Sequence, residues 1–272
     1  MYDSQQPFRE LHQSLLEYEG TRVSDEVLGP WLARNGAERV WLRELATRPG
    51  KPWPAMSSED LCRLYAVSRV NDVLLLHFQP LRRGDWHGHD LQLAEYISFL
   101  ETLGFVRVEH GSFHPFFHEI VSVLASEPPV NGVALVESWW PCFMLGELMF
   151  SRAGVTVRAG ARELVPAIAE NSTLYWAHRR SNRPTTDLAV GWGSNSAWRT
   201  GFRRDYRRGD TVCFNVDGRR APHSPPTPED ASGQGGLTPE EQVELLTHRC
   251  FVRTRKADDD RWPYDDTLTL SL

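Results

Sequence analysis

Lysine is almost absent from this chain: Lys51 and Lys256 are the only two among 30 basic residues, and the other 28 are arginines. With 18 prolines, that skew is what a GC-rich genome produces, so it carries no functional message. A surplus of positive charge is also missing. Thirty-six acidic residues leave a formal net charge of −6, which argues against sequence-independent DNA binding, because that needs a basic surface. No stretch approaches the roughly 18 consecutive apolar residues of a membrane helix; the most apolar segments, Val133 to Val136 and Trp139 to Leu145, are interrupted by Glu137, Ser138 and Pro141. Met1 to Pro7 has no basic region feeding an apolar run, so no signal peptide is expected there. The four cysteines, Cys62, Cys142, Cys213 and Cys250, are dispersed without a Cys-x-x-Cys pair. Dispersed thiols point to reduced, buried side chains and a cytoplasmic setting, and they exclude a disulfide frame or a thiolate zinc site.

What is present is a globular composition. Forty per cent of the residues are hydrophobic, enough for a real core. Phe8, Leu11, Leu15 and Tyr18 fall on one helical face. Ser24 is placed to cap a second helix running to Leu32, with Arg39 to Leu42 as its continuation or a short strand. Ser57 or Ser58 followed by Glu59 and Asp60 reads as a helix start. Val73 to Phe78 reads as a buried strand, and Asp90 as the cap of a helix that buries Leu93, Ile97, Leu100 and Leu103 before Gly104. Phe105 to Glu109, Val133 to Val136, Val155 to Arg158, Thr173 to Ala177, Val212 to Val216, Arg249 to Thr254 and Thr267 to Leu272 are strand candidates. Phe143 to Phe150, Arg162 to Ala169 and Ala197 to Tyr206 read as helical. Thr238, Pro239 and Glu241 form a capping box after a Pro/Gly-rich loop at 218–236. Strands and helices mixed without a regular βαβ rhythm predict an α+β fold, a mixed or antiparallel sheet flanked by helices in a single large domain. Residues 1–60 form its helical N-terminal region and 61–272 its α+β core, together one compact unit.

Five of the ten histidines lie within residues 87–118: His87, His89, His110, His114 and His118. Histidine is the commonest metal ligand, and carboxylates complete hard or borderline sites. His87-Gly88-His89 has the spacing that directs two rings to one side of an extended segment. The geometry of His114 and His118 turns on local structure. In a helix opened by Pro115 they stand one turn apart and grip one ion, with Glu119 beside them; in a strand from Phe116 to Val123 they stand about 13 Å apart and cannot. Their bland alternative is hydrogen bonding to backbone beside the aromatic core of Phe113, Phe116 and Phe117. No His-Glu-x-x-His motif, P-loop or Gly-x-Ser-x-Gly elbow occurs.

Gly191 to Ser196 precedes the helix expected from Ala197. A glycine-rich turn feeding a helix start suits an anion, so Ser194, Asn195, Ser196, Arg199 and Arg203 are the candidate anion-binding residues, with Asp187 and Asp205 to orient the arginines. Glu137 adjoins Trp139 and Trp140, the setting that raises a carboxyl pKa toward general-acid chemistry.

These features predict a metal-dependent enzyme acting on a small-molecule or peptide substrate with an anionic group. Its divalent ion, zinc or iron, would be held by His87, His89, His114 and His118, with Glu119 or Glu137 as catalytic carboxylate. A redox-inert ion implies hydrolysis, and iron implies oxygen chemistry. Two other readings remain open: a non-catalytic interaction protein with a Trp/Arg recognition surface, and a nucleic-acid-processing protein using residues 192–208.

Overall fold

A computed structural model describes residues 6–80, 86–126, 132–186, 198, 200–222, 237–254 and 265–272. The first third of the chain is helical. Helix α1 (Gln6–Glu17) buries Phe8, Leu11 and Leu15 completely, as their spacing requires. A single π-helical stretch (Ser24–Leu28) then runs into α2 (Gly29–Arg34), and α3 (Gly36–Thr47) follows. Ser24 is the first residue of that stretch and not its cap; Val23 holds the cap position, without a side-chain cap hydrogen bond. Helix α4 (Ser58–Leu75) opens on a reciprocal capping box between Ser57 and Asp60 and ends in a 3-10 turn (Leu76–Phe78). Helix α5 (Leu93–Leu103) is capped by Gln92 and Glu95, not by Asp90, and stops at Gly104, whose φ of 102° suits glycine. Among the described residues two helices come later, α6 (Pro166–Ala169) and α7 (Pro239–His248), the latter capped by Thr238 and Glu241 as its sequence predicts. Among the described residues no helix is long and apolar enough to cross a membrane.

Eleven strands are seen among the described residues: β1 (Val106–Val108), β2 (His118–Ala125), β3 (Val133–Trp140), β4 (Cys142–Leu145), β5 (Leu148–Ser151), β6 (Ala153–Ala159), β7 (Leu174–Tyr175), β8 (Thr185–Thr186), β9 (Tyr206–Arg208), β10 (Thr211–Phe214) and β11 (Leu268–Ser271). One sheet has the order β1-β4-β5-β9-β10-β11 and every pairing in it is antiparallel. A second has the order β2-β6-β3, with β2 parallel and β3 antiparallel to the central strand. The fold is α+β, with a mixed sheet beside an antiparallel one.

The hairpin β4–β5 explains how the layers stack. Phe143, Leu145, Leu148 and Phe150 join the core formed with α1, α3, α4 and α5, whereas Cys142, Met144 and Met149 join the core formed with β2, β6 and β10. The β4–β5 hairpin at the centre of this sheet is therefore buried on both faces, between the helices and the second sheet. A strand buried on both faces shows no polar alternation, which is why Phe143 to Phe150 resembles a helix in sequence. Its turn is made at Gly146, with φ of 58° and a missing Cβ that would collide with the Ala46 carbonyl. Val73 to Phe78 is the reverse case: its largely apolar run ends a helix whose C-terminal turns are buried, not a strand. Among the described residues of the expected helix at 197–206, residues 200–205 are not helical and Tyr206 begins β9. Arg249 to Thr254 forms no strand.

Candidate functional site

Strand β2 starts at His118, directly after a turn in which the Phe117 and His118 amides both donate to the His114 carbonyl. The strand alternative is therefore realised from residue 118 onward, but the preceding turn keeps the two histidines together. Nδ1 of His118 lies 3.0 Å from both the amide and the carbonyl of His114, and the Phe116 amide donates to His114 Nδ1 at 3.1 Å. His110 stacks on Phe117 at 4.7 Å, while Phe113 stacks on His118 at 5.7 Å and on His248 at 6.0 Å. Burial holds His114, His118 and His248 neutral. It lowers His114 and His118 to about 4, helped by neighbouring His110 and Arg152, and His248 to about 3, helped by Arg152 and His114.

A cleft of about 540 Å³ opens beside this cluster. His110, His118, Glu137 and Cys142 line it together with apolar groups such as Leu135 and Val155. Two residues singled out from the sequence thus share one cavity, from the two strands that flank β6. The register of β3 against β6 shifts between Leu135 and Glu137, a local break of the kind that re-aims side chains.

One residue further along β2 the side chain emerges on the other face. Glu119 is buried and forms a bidentate pair with Arg180, at 2.8 and 2.9 Å. The same guanidinium reaches Asp72 Oδ1 at 2.8 Å, and Asp72 Oδ2 accepts from the His178 amide. Burial pushes the Glu119 carboxyl up, but the Arg180 charge and hydrogen bonds outweigh it and leave the group below its ordinary value. Every oxygen that Glu119 could offer a metal or a substrate is engaged by Arg180.

The other expected ligands lie elsewhere. Gly88 has a φ of 78°, so His87 and His89 are not the extended pair that chelation requires. His89 is buried against α1, with Nε2 2.5 Å from the Leu15 carbonyl and its ring between Tyr18 and Trp86. Half-buried His87 has an Nδ1 without a hydrogen-bond partner among the described residues. No group of three or more His, Cys, Asp or Glu side chains among the described residues is placed to hold a metal ion. Of the anion-binding candidates, Ser194, Asn195, Ser196 and Arg199, like Asp187, lie outside the described residues. Arg203 is turned inward: Nε donates to Asp205 Oδ1 at 2.9 Å, Nη2 donates to the Leu246 carbonyl, and the guanidinium covers Trp176 at 4.4 Å.

The segment His178 to Arg183 is the part that sequence reasoning missed. Besides Arg180, the Ser181 amide and hydroxyl both donate to Gln79 Oε1, Asn182 donates to the Val121 carbonyl, and Arg183 donates to the carbonyls of Ile120 and Ala169. A signal for it does exist in α4, where the polar pair Asn71-Asp72 is buried between Val70 and Val73. A carboxylate at such a position must find a cation inside the fold. No protein family matches the chain, and neither a curated protein nor a solved structure is similar to it.

Proposed function

We propose that the protein is an enzyme acting on a small molecule held in the cleft between β1, β3 and β6, with Glu137 as the proton-transferring carboxylate and His118 as a hydrogen-bonding partner of the substrate. The observation that carries this reading is the presence of both groups in one largely apolar cavity, the usual form of a small-molecule site. With its pKa near 4, His118 is a weak base at neutral pH. A neutral imidazole is suited instead to polarising a carbonyl by hydrogen bonding. Glu137 is exposed on β3, so the cleft can bring a substrate proton to it.

The zinc or iron reading has less support, because only His118 and Glu137 of its six named residues line the cleft. The interaction-protein reading is weakened by the aromatic residues themselves. Arg63 covers Trp41 at 3.9 Å, Arg69 covers Trp198 at 4.2 Å, Arg179 covers Trp86 at 5.1 Å and Arg208 covers Trp53 at 5.0 Å. These arginines and tryptophans satisfy one another within the chain instead of forming a vacant recognition surface.

Turnover of a panel of chromogenic esters, amides and phosphate esters tests the proposal. A substrate processed by the wild type should lose about 100-fold or more in kcat/KM with Glu137→Gln, the scale of a lost proton-transfer group. His118→Phe should raise KM for the same substrate. Equal rates for wild type and Glu137→Gln would reject the assignment.

A further inference from the structure

Behind the histidine cluster lies a second arrangement, independent of the cleft, in which positive charge exceeds negative charge. Arg152 and Arg203 have side chains only 2% and 3% exposed, and both pair with Asp205, at 3.1 and 2.9 Å. That carboxylate already accepts three hydrogen bonds. Oδ1 accepts from Arg203 Nε and from the Asn215 amide, and Oδ2 accepts from Arg152. The remaining bonds of the two arginines go to backbone carbonyls at the C-terminal end of α7, Thr247 for Arg152 and Leu246 for Arg203. Arg249 follows in the left-handed conformation, with φ of 61°, two residues past the Thr247 carbonyl that Arg152 binds, and its charge acts on both Arg152 and Arg203. After burial, the like charge of Arg249 weighs on Arg152 more than the attraction of Asp205 does.

Nearby carboxylates do not restore the balance. Glu119 also attracts Arg152 and Arg249, but both its oxygens are held by Arg180. Glu244 accepts from the amides of Val252, Arg253 and Thr254. Arg183, the next cation, donates to carbonyls and to the Cys250 sulfur, not to a carboxylate. Three buried N–H groups are left without acceptors among the described residues: Nε of Arg152, Nη1 of Arg203 and Nε of Arg249. Buried donors are almost always satisfied, and like charges at low dielectric repel strongly. Three unfilled donors on three mutually repelling guanidinium groups therefore describe a site that lacks its acceptor.

We propose that Arg152, Arg203 and Arg249 bind a phosphate-type oxyanion, either inorganic phosphate or the phosphoryl group of a small phosphate monoester. A planar carboxylate matches the fork of one guanidinium, whereas donors on three separate arginines call for the several acceptor oxygens of a tetrahedral anion. Binding there neutralises the excess charge and fills the orphaned donors in one step.

Thermal unfolding at pH 7.5 and constant ionic strength, with inorganic phosphate, phenyl phosphate or chloride, tests this. Inorganic phosphate at saturation should raise the wild-type Tm by about 4 °C over chloride. A larger rise with phenyl phosphate would assign the site to an ester, and a smaller one to the free ion. Arg249→Asn retains a residue that tolerates the left-handed backbone; it should abolish the phosphate response while raising the Tm in chloride, because a repelling charge is gone. Glu137→Gln, in the cleft, should leave the phosphate response unchanged. The proposal is overturned by a wild-type response no greater than that to chloride, by a full response in Arg249→Asn, or by loss of the response in Glu137→Gln.

Discussion

His118 and Glu119 are adjacent in the chain and belong to different chemistries. On the His118 side of β2, the neutral imidazole of His118 borders a cavity, and hydrogen bonds run mostly to backbone. On the Glu119 side, charged groups from α4, β2 and the 178–183 segment saturate one another with no space between them. One step along a strand separates an imidazole that lines a cavity from charges that tie the layers together. Perturbed titration is found on both sides, so a shifted pKa alone does not identify a site.

Substitutions should separate the two sides sharply. The largest effect is expected for Glu119→Ala, which leaves the Arg180 charge buried with Asp72 as its only carboxylate; such losses cost about 3–5 kcal/mol, readable as a fall in the urea midpoint at pH 7.5. Glu119→Gln preserves the shape and part of the hydrogen bonding and should cost less than Glu119→Ala. If both variants matched the wild type, the ion pair would have no structural role.

Acid should break the two sides in different ranges. Folded His114, His118 and His248 stay neutral down to about 4, 4 and 3, whereas the unfolded chain protonates them near 6.5. The unfolded state binds more protons between these values, so this contribution is complete above pH 6.5 and is lost as the pH falls toward 4. Each unmatched proton steepens the fall by about 1.4 kcal/mol per pH unit. Glu119 is depressed from its ordinary 4.5, so its contribution is present above that value and disappears only below it. Urea titrations from pH 8 to 3 should therefore show loss of stability beginning near 6.5. A profile flat down to 4.5 would contradict the burial of neutral histidines. The smallest effect is expected for Glu137→Gln, an exposed position whose change should stay within about 0.5 kcal/mol.

Local punctuation was the most legible part of the fold. Thr238 with Glu241, Ser57 with Asp60, and Gly104 each mark a helix end by a hydrogen bond or a backbone conformation that neighbouring residues determine. Val73 to Phe78 and Phe143 to Phe150 exchange their expected identities because full burial erases the periodicity that tells helix from strand. At the site, His118 and Glu137 were recognisable one at a time from residue type. Their meeting depends on β2 and β3 flanking β6, a fact of topology that no local pattern carries. The Arg180 network was hidden for the same reason, since its carboxylates stand 61 and 108 positions away in the chain.

The bridge from Asp72 through Arg180 to Glu119 bears on how the molecule opens. It ties a helix of the helical layer to a strand of the second sheet. Neither layer can loosen alone without abandoning a buried charge, so partial unfolding carries nearly the same free-energy cost as complete unfolding. Amide hydrogens at Val73 in α4 and Val121 in β2 should accordingly exchange in a single cooperative event, with Glu119→Ala dividing it into two.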